Sequence, residues 1–373
     1  MKAAFIYSHE MTLYDLGPDH PLRPERLRLT FDLTSAYELL DRNSQLIAPS
    51  PATREDIETV HHPAYIDAVK ALSEGKPVAN PASFGFGLTD NPPFRGMYEA
   101  SLLYTGGSVA AAELVMRGEA ERAFSISGGL HHAMPARASG FCIFNDPAIA
   151  IQRLRSKYSR IAYIDIDAHH ADGVQAAFYG SNDVLTISIH ETGDHLFPGT
   201  GYIHEIGEGE GVGYSVNIPL SPSTPDEVHV WSFDQIVPPL IDTFDPQVIV
   251  AQLGADAHYQ DQLAHLCVTS EGYAAVVERI IGFGRPVVAL GGGGYNVLTV
   301  ARLWTLAYGL MLGRELPDEI PASFAETHGI QHLRDHTRPE LSSYQDRFVR
   351  SSAEQTVQRL KELLFPHHGL PAE

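Results

Sequence analysis

The sequence predicts an α/β fold with a mainly parallel sheet and helices on both of its faces, and three observations carry that prediction. Short apolar runs rich in Val and Ile recur along the chain. Each gives way to a polar or Gly-rich loop and then to a stretch of helical character. No Pro/Gly/Ser-rich linker, internal repeat or low-complexity segment divides the series, so a single domain over residues 1–373 is expected. Continuous apolar runs read as strands buried on both faces, and strand alternating with helix argues for parallel pairing.

In chain order the predicted strands are AAFIY (3–7), AFSIS (123–127), IAYIDI (161–166), VLTISI (184–189), YSVNIP (214–219), VIVAQL (248–253) and PVVAL (286–290). The helical stretches cover residues 24–40, 96–117, 147–158, 224–244, 270–284 and 297–313. Residues 314–373 are less regular and contain one amphipathic stretch, 352–364, expected to pack on the outside. The glycine-rich segment GEGEGVG (207–213) reads as a flexible loop before a strand.

Composition removes several function classes. Lys plus Arg number 26 against 46 Asp plus Glu, a formal charge of −20. Such a surface repels phosphate backbones, so no nucleic-acid partner is expected. Two cysteines, Cys142 and Cys267, build no disulfide framework. No apolar run reaches the roughly 20 residues of a membrane helix, and the apolar stretch near the N-terminus is too short for a signal sequence. A soluble cytoplasmic protein without a membrane partner is expected, its oligomeric state left open.

The residues just beyond the strands point to chemistry. In open α/β sheets, ligands bind beyond the carboxyl ends of the strands. Here the second predicted strand is followed by Gly128, Gly129, Leu130, His131 and His132. The third runs through Asp165 into Asp167, His169, His170 and Asp172. The fourth ends at His190, the sixth is followed by Asp256 and His258, and the last by Gly291–Gly294 and Tyr295. One polar strand end is ordinary, since Asp often caps helices; five together mark a site.

Asp-x-His offers carboxylate and neutral imidazole, a ligand pair suited to Zn²⁺ or another divalent transition ion and less to Ca²⁺. Asp167 and His169 supply two ligands, and Asp256 is the candidate third. A catalytic zinc needs three with a position left open. Adjacent side chains of an extended segment diverge, so His131 and His132 are read as acid/base groups beside the metal and not as joint ligands. Asp165 and Asp172 remain available to orient them. GGGGYN lacks the spacing of a phosphate-binding loop; its glycines would let Tyr295 lie over the site, where a phenol can donate to an oxyanion.

Nine segments in order resemble the zinc-dependent histone deacetylases and their bacterial relatives: HPLRPERLRLT (20–30), ISGGLHHA (126–133), SGFCIFND (139–146), IDIDAHHADGVQAAFY (164–179), ISIH (187–190), FPGTG (197–201), YSVNIPL (214–220), QLGADAH (252–258) and GGGGYN (291–296). DLGPDHP (15–21) and GADAHYQDQLAHL (254–266) are most similar to the bacterial acetoin-utilisation branch. The resemblance implies the three-layer arginase–deacetylase fold with an eight-stranded sheet, and hydrolysis of an N-acetyl-lysine or related N-acyl amine with release of acetate. It implies Zn²⁺ on Asp167, His169 and Asp256, with Fe²⁺ suited to the same ligands. His132, paired with Asp172, would be the general base; His131, paired with Asp165, would assist the leaving amine; Tyr295 would hold the carbonyl oxygen. Phe141, Phe197 and Leu263 would wall an acyl-lysine tunnel to which Gly140 adds backbone, Asp90 would sit at its rim, and Arg26 in an acetate-release channel. A structural K⁺ would lie near Asp165, Asp167, His169, Ser188 and Ile189, and a second near Phe178, Ser181, Val184 and Tyr214. Members specialised for acetylpolyamines carry a carboxylate at the tunnel gate, where this chain has Leu263. His258 and Gln260 depart from the eukaryotic pattern, which is expected to alter the tunnel mouth. An acetylpolyamine amidohydrolase, an arginase-like ureohydrolase and a non-catalytic acyl-lysine reader are the competing readings.

Overall fold

A computed structural model of the protein describes residues 2–87 and 89–372. Its sheet contains β1 (Ala3–Ile6), β2 (Ser44–Ile47), β3 (Arg122–Ser125), β4 (Ile161–Asp165), β5 (Val184–Glu191), β6 (Ser215–Leu220), β7 (Val248–Gln252) and β8 (Val287–Leu290). The spatial order is β2-β1-β3-β8-β7-β4-β5-β6, and every pairing is parallel. In β4, β5, β7 and β8 every residue is buried, which is why these strands read as unbroken apolar runs. The strand without such a run is β2. It is SQLI at the sheet edge with its two central residues exposed, so neither length nor hydrophobicity marks it.

The helices are α1 (Glu25–Ala36), α2 (Arg54–Glu58), α3 (Pro63–Ser73), α4 (Met97–Met116), α5 (Asp146–Arg155), α6 (Asp172–Phe178), α7 (Asp226–Phe244), α8 (Ser270–Gly282), α9 (Val297–Met311), α10 (Ala322–His328) and α11 (Ser343–Leu364). Side-chain caps set several starts: Asn145 Oδ1 accepts from Ala148 N before α5, and Asn296 Oδ1 from Thr299 N before α9. Helices α1, α9, α8, α7 and α11 pack in succession on one side, and α3, α4, α5 and α6 on the other. Thus α2, α3, α6 and α10 are additions to the predicted helices. The predicted 352–364 stretch is the second part of α11, whose start is fixed nine residues earlier by a reciprocal Ser342–Gln345 capping box. This helix covers β6, the edge strand carrying Pro219, and so shields an edge that would otherwise offer free pairing groups. No helix among the described residues is long and apolar enough to cross a membrane.

One buried polar group weakens this frame. His229 of α7 is 2% exposed, and neither ring nitrogen has a hydrogen-bond partner among the described residues. Burial lowers its pKa to about 4. The unfolded chain therefore binds a proton below the usual histidine pKa of about 6.5 that the folded chain refuses, so stability is lost as pH falls through that value. His229→Leu is expected to raise the thermal midpoint at pH 7.5 and to raise it further at pH 5. The added acid-limb effect is about 2 kcal/mol. Melting curves of both proteins at the two pH values check this; a gain that does not grow on acidification would contradict it.

Candidate active site and metal centre

The carboxyl ends of β3, β8, β7 and β4, which are neighbours in the sheet, deliver the polar residues to one place. Past β4 the backbone folds tightly on its own carboxylates: Asp165 Oδ1 accepts from Asp167 N at 3.0 Å, and Asp167 Oδ1 from His169 N at 3.0 Å. These turns hold residues 165, 167 and 169 in fixed relation before any ligand arrives.

Asp167, His169 and Asp256 are all buried and converge. His169 Nδ1 lies 3.1 Å from Asp167 Oδ1 and 3.0 Å from Asp256 Oδ2. The remaining oxygens are held elsewhere. Asp256 Oδ1 accepts from Ala168 N at 2.8 Å, and Asp167 Oδ2 accepts from Gln252 Nε2 and Gly293 N, both at 2.7 Å. One oxygen of each carboxylate is thus anchored and the other aimed at the imidazole. Gly293 is required here, because a Cβ would stand 2.0 Å from Asp256 Oδ2. Burial and the charge of Asp167 push Asp256 up to about 7. Against burial, His131 and His169 hold Asp167 well below the usual carboxylate range. Two buried carboxylates around one imidazole form a donor set that fits a divalent ion of the zinc class.

His131 and His132 follow β3 in a turn, not in an extended segment, and this reverses the expected divergence. Their rings face each other with centroids 4.1 Å apart and Nε2 atoms 3.1 Å apart. Each Nδ1 meets its own carboxylate: His131 with Asp165 Oδ2, and His132 with Asp172 Oδ1, both at 2.7 Å. Both Nε2 atoms are therefore left to face the cleft. Burial opposes the His131 imidazolium, but Asp165 and Asp167 outweigh it and raise the pKa to about 9. Burial and His131 lower His132 to about 4. A divalent ion on Asp167 would offset that carboxylate's share of the His131 shift.

Tyr295 lies across the cleft, its ring edge-on to Phe141 (5.8 Å) and His169 (6.2 Å). Its backbone N–H donates to Asp261 Oδ2 at 2.8 Å. Burial together with Asp256 and Asp167 keeps the phenol protonated far above its ordinary range. Leu22, Gly140, Phe141 and Cys142 complete a narrow cleft over His131, His132 and Asp167. Gly140 sits at φ +52°, and a Cβ there would lie 2.4 Å from the His132 ring and 2.8 Å from Phe197. Phe141 takes φ +68°, a costly conformation for a side-chain-bearing residue, and Tyr14 Oη donates to its carbonyl at 2.7 Å. Phe197 is 42% exposed with its ring 5.0 Å from that of His132. Leu263 packs in the cluster of Phe141 and Tyr295. Asp90 is exposed near the rim; its carbonyl lies 3.3 Å from His20 Nε2, and the His20 ring stands on Phe141.

Arg26 is buried. Its Nη1 donates to the carbonyls of Gly292 (2.7 Å) and Gly294 (3.2 Å), and it stacks over Trp304. It lines a second small cavity that shares Leu22 and Leu130 with the cleft. Of the candidate monovalent-cation residues, Ser188 is in register with Asp165 across the β4–β5 pair and Ile189 comes next in the strand, all three buried. Both Asp165 oxygens already accept hydrogen bonds, from Asp167 N, His131 and Tyr163 Oη. Phe178 ends α6, Ser181 lies in the following turn, Val184 starts β5 and Tyr214 precedes β6.

One expectation is corrected. His258 does not shape the cleft mouth. It is 1% exposed and its Nε2 pairs with Asp335 at 2.8 Å, tying the segment after α9 to the Asp256 loop. Gln252, Asp261 and Tyr163 were not among the expected site residues. A glutamine ending the apolar run VIVAQL, and a tyrosine two residues before Asp165 on one strand face, were signals for two of them. Asp261, which holds both Tyr295 N and Leu263 N, carried none.

Residues 20–311 match the histone deacetylase domain. The acetoin utilization protein AcuC of Bacillus subtilis (strain 168) is 44% identical over 329 residues, 85% of each chain. Human histone deacetylase 1 is 37% identical over 323 residues, 86% of this chain and 66% of that protein. The crystal structure of an HDAC homolog from Aquifex aeolicus superposes with a TM-score of 0.88 at 31% identity, covering 96% of this chain and 100% of that one. The chain belongs to the histone deacetylase family.

Proposed function

We propose that the protein hydrolyses the amide of an N-acetyl-lysine side chain, or of a related N-acylated amine, with a divalent ion of the zinc class held by Asp167, His169 and Asp256, and releases acetate. Family membership supports a deacetylase hydrolase. The observation that carries the finer reading is the convergence of three ligand atoms, two His–Asp pairs and one phenol at the base of a narrow cleft.

Bound there, a zinc ion would supply Lewis acidity toward water and the amide carbonyl. His132, neutral and oriented by Asp172, takes the proton of the attacking water at Nε2. Tyr295 donates its hydroxyl hydrogen to the carbonyl oxygen as negative charge builds there. His131, held by Asp165, supplies positive charge beside the reacting carbon and a proton for the leaving amine. Phe141 and Phe197 present apolar surface to an alkyl chain. Leu263 stands at the position where an acetylpolyamine specialist places a carboxylate, which favours acetyl-lysine. The net charge of −20 attracts the basic peptides in which such a lysine occurs. Arg26, in the cavity behind the cleft, is suited to departing acetate. A structural K⁺ beside Asp165, Ser188 and Ile189, and a cytoplasmic location, belong to the same reading.

The test is release of acetate from acetyl-lysine peptides, acetylpolyamines and other N-acyl amines, with metal measured on the same sample before and after chelation. Turnover of the peptides is expected to exceed that of the polyamines, to vanish on chelation and to return with Zn²⁺ or Fe²⁺. Urea release from a guanidine substrate, with acetamides untouched, would favour a ureohydrolase. Tight acyl-peptide binding without turnover in metal-replete protein would favour a reader.

A further inference from the structure

Far along the chain from the cleft ligands, the segment between α9 and α11 brings a second carboxylate and two imidazoles together. Asp318 Oδ2 lies 3.0 Å from His332 Nδ1 and 2.6 Å from His336 Nε2. The two rings lie with centroids 3.9 Å apart. One ligand atom from each residue falls within 4.8 Å of the others, as for Asp167, His169 and Asp256. The contact distances are 3.0 and 2.6 Å here, against 3.1 and 3.0 Å in the cleft trio. Neighbouring donors around a tetrahedral ion with bonds of about 2.1 Å stand roughly 3.4 Å apart, so an opening of about 0.4 Å at His332 and about 0.8 Å at His336 admits one.

The trio is built on a fixed frame. Asp318 O accepts from Leu333 N at 2.7 Å, and Asp318 Oδ1 from Arg334 N at 2.8 Å. Glu319 and His332 form an antiparallel bridge. Between the two histidines, Asp335 is locked by Arg302 Nη2, His258 Nε2 and Ser270 N. These contacts leave Asp318 Oδ2 to the imidazoles alone. The three side chains are 33%, 46% and 55% exposed. Exposed His–Asp pairs stabilise a fold little, so stability does not account for two imidazoles aimed at one oxygen. Exposure does leave room for water to complete a coordination shell.

We propose that Asp318, His332 and His336 form a second metal site, selective for an imidazole-preferring divalent transition ion such as Zn²⁺ over Mg²⁺ or Ca²⁺, whose preferred ligands are oxygens. The site is structural: it clamps residues 316–320 to residues 331–336, the segment whose Asp335 grips His258 beside the Asp256 loop.

The experiment titrates the full chain, stripped of metal, with Zn²⁺ in competition with a chromogenic chelator. The wild type is expected to take up two equivalents. The double variant H332A/H336A is expected to take up one and to keep its deacetylase turnover. Asp256→Ala should also keep one, and the triple variant none. Asp318→Asn retains an oxygen for Arg334 N while removing the anionic ligand, and is expected to weaken the second equivalent at least tenfold. It serves if the double variant does not fold. A single equivalent in the wild type, or two in H332A/H336A, would overturn the proposal. Loss of the Asp256-dependent equivalent alone would instead count against the cleft site.

Discussion

Asp256→Ala is expected to fold, to carry no ion at the cleft, and to lose acetate release by more than about 100-fold, the upper range for removing even an outer-shell partner of a metal ligand. The geometry separates the two tasks of this side chain. Oδ1 accepts from Ala168 N, and Oδ2 faces His169 Nδ1. Alanine removes both, leaving Asp167 and His169 as two ligands where a catalytic zinc uses three. The orphaned Ala168 N–H costs roughly 1–3 kcal/mol. That loss is partly offset because Asp256 is itself held unfavourably, with burial and Asp167 pushing it up to about 7. A folded, metal-deficient protein is therefore the expected product. Elemental analysis beside the wild type, with circular dichroism for the fold, measures it. Full zinc at the cleft in the folded variant would remove Asp256 from the ligand set and with it the hydrolytic reading.

The parts of this site that were legible in the sequence share one physical cause. Buried strands must be apolar, so a His or Asp at the end of a run such as IAYIDI or VIVAQL stands out against its background. The turn after β3 brings the two histidine rings together where an extended chain would part them, and no local sequence rule reports that. Asp261 is a surface-loop aspartate by composition; its role in holding Tyr295 N depends on two loops meeting across 34 residues. His258 shows the converse error. Its place two residues after Asp256 suggests the cleft, but Asp335, from a segment with no motif, draws it away. Edge strand β2 and the short helices α2 and α10 escape for a simpler reason: too few buried residues lie in each to impose a period.

Tyr295→Phe isolates one hydroxyl. It is expected to leave metal content and fold unchanged and to lower kcat by about 10²–10³-fold, roughly 2.7–4 kcal/mol, the usual loss for one oxyanion donor. The ring keeps its edge contacts with Phe141 and His169, and the backbone anchor Tyr295 N to Asp261 Oδ2 does not involve the side chain. Burial together with Asp256 and Asp167 keeps the phenol protonated, so it arrives as a donor across the working pH range. Among the described residues no other group competes for that hydrogen, which leaves it free for the charge that develops on the substrate oxygen. The loss should fall on kcat more than on KM, because the bond strengthens as that charge grows. Steady-state kinetics on an acetyl-lysine peptide, with zinc stoichiometry on the same preparation, decides the matter. An unchanged kcat would show that the oxyanion is held elsewhere, and a rise confined to KM would make Tyr295 a wall of the cleft and nothing more.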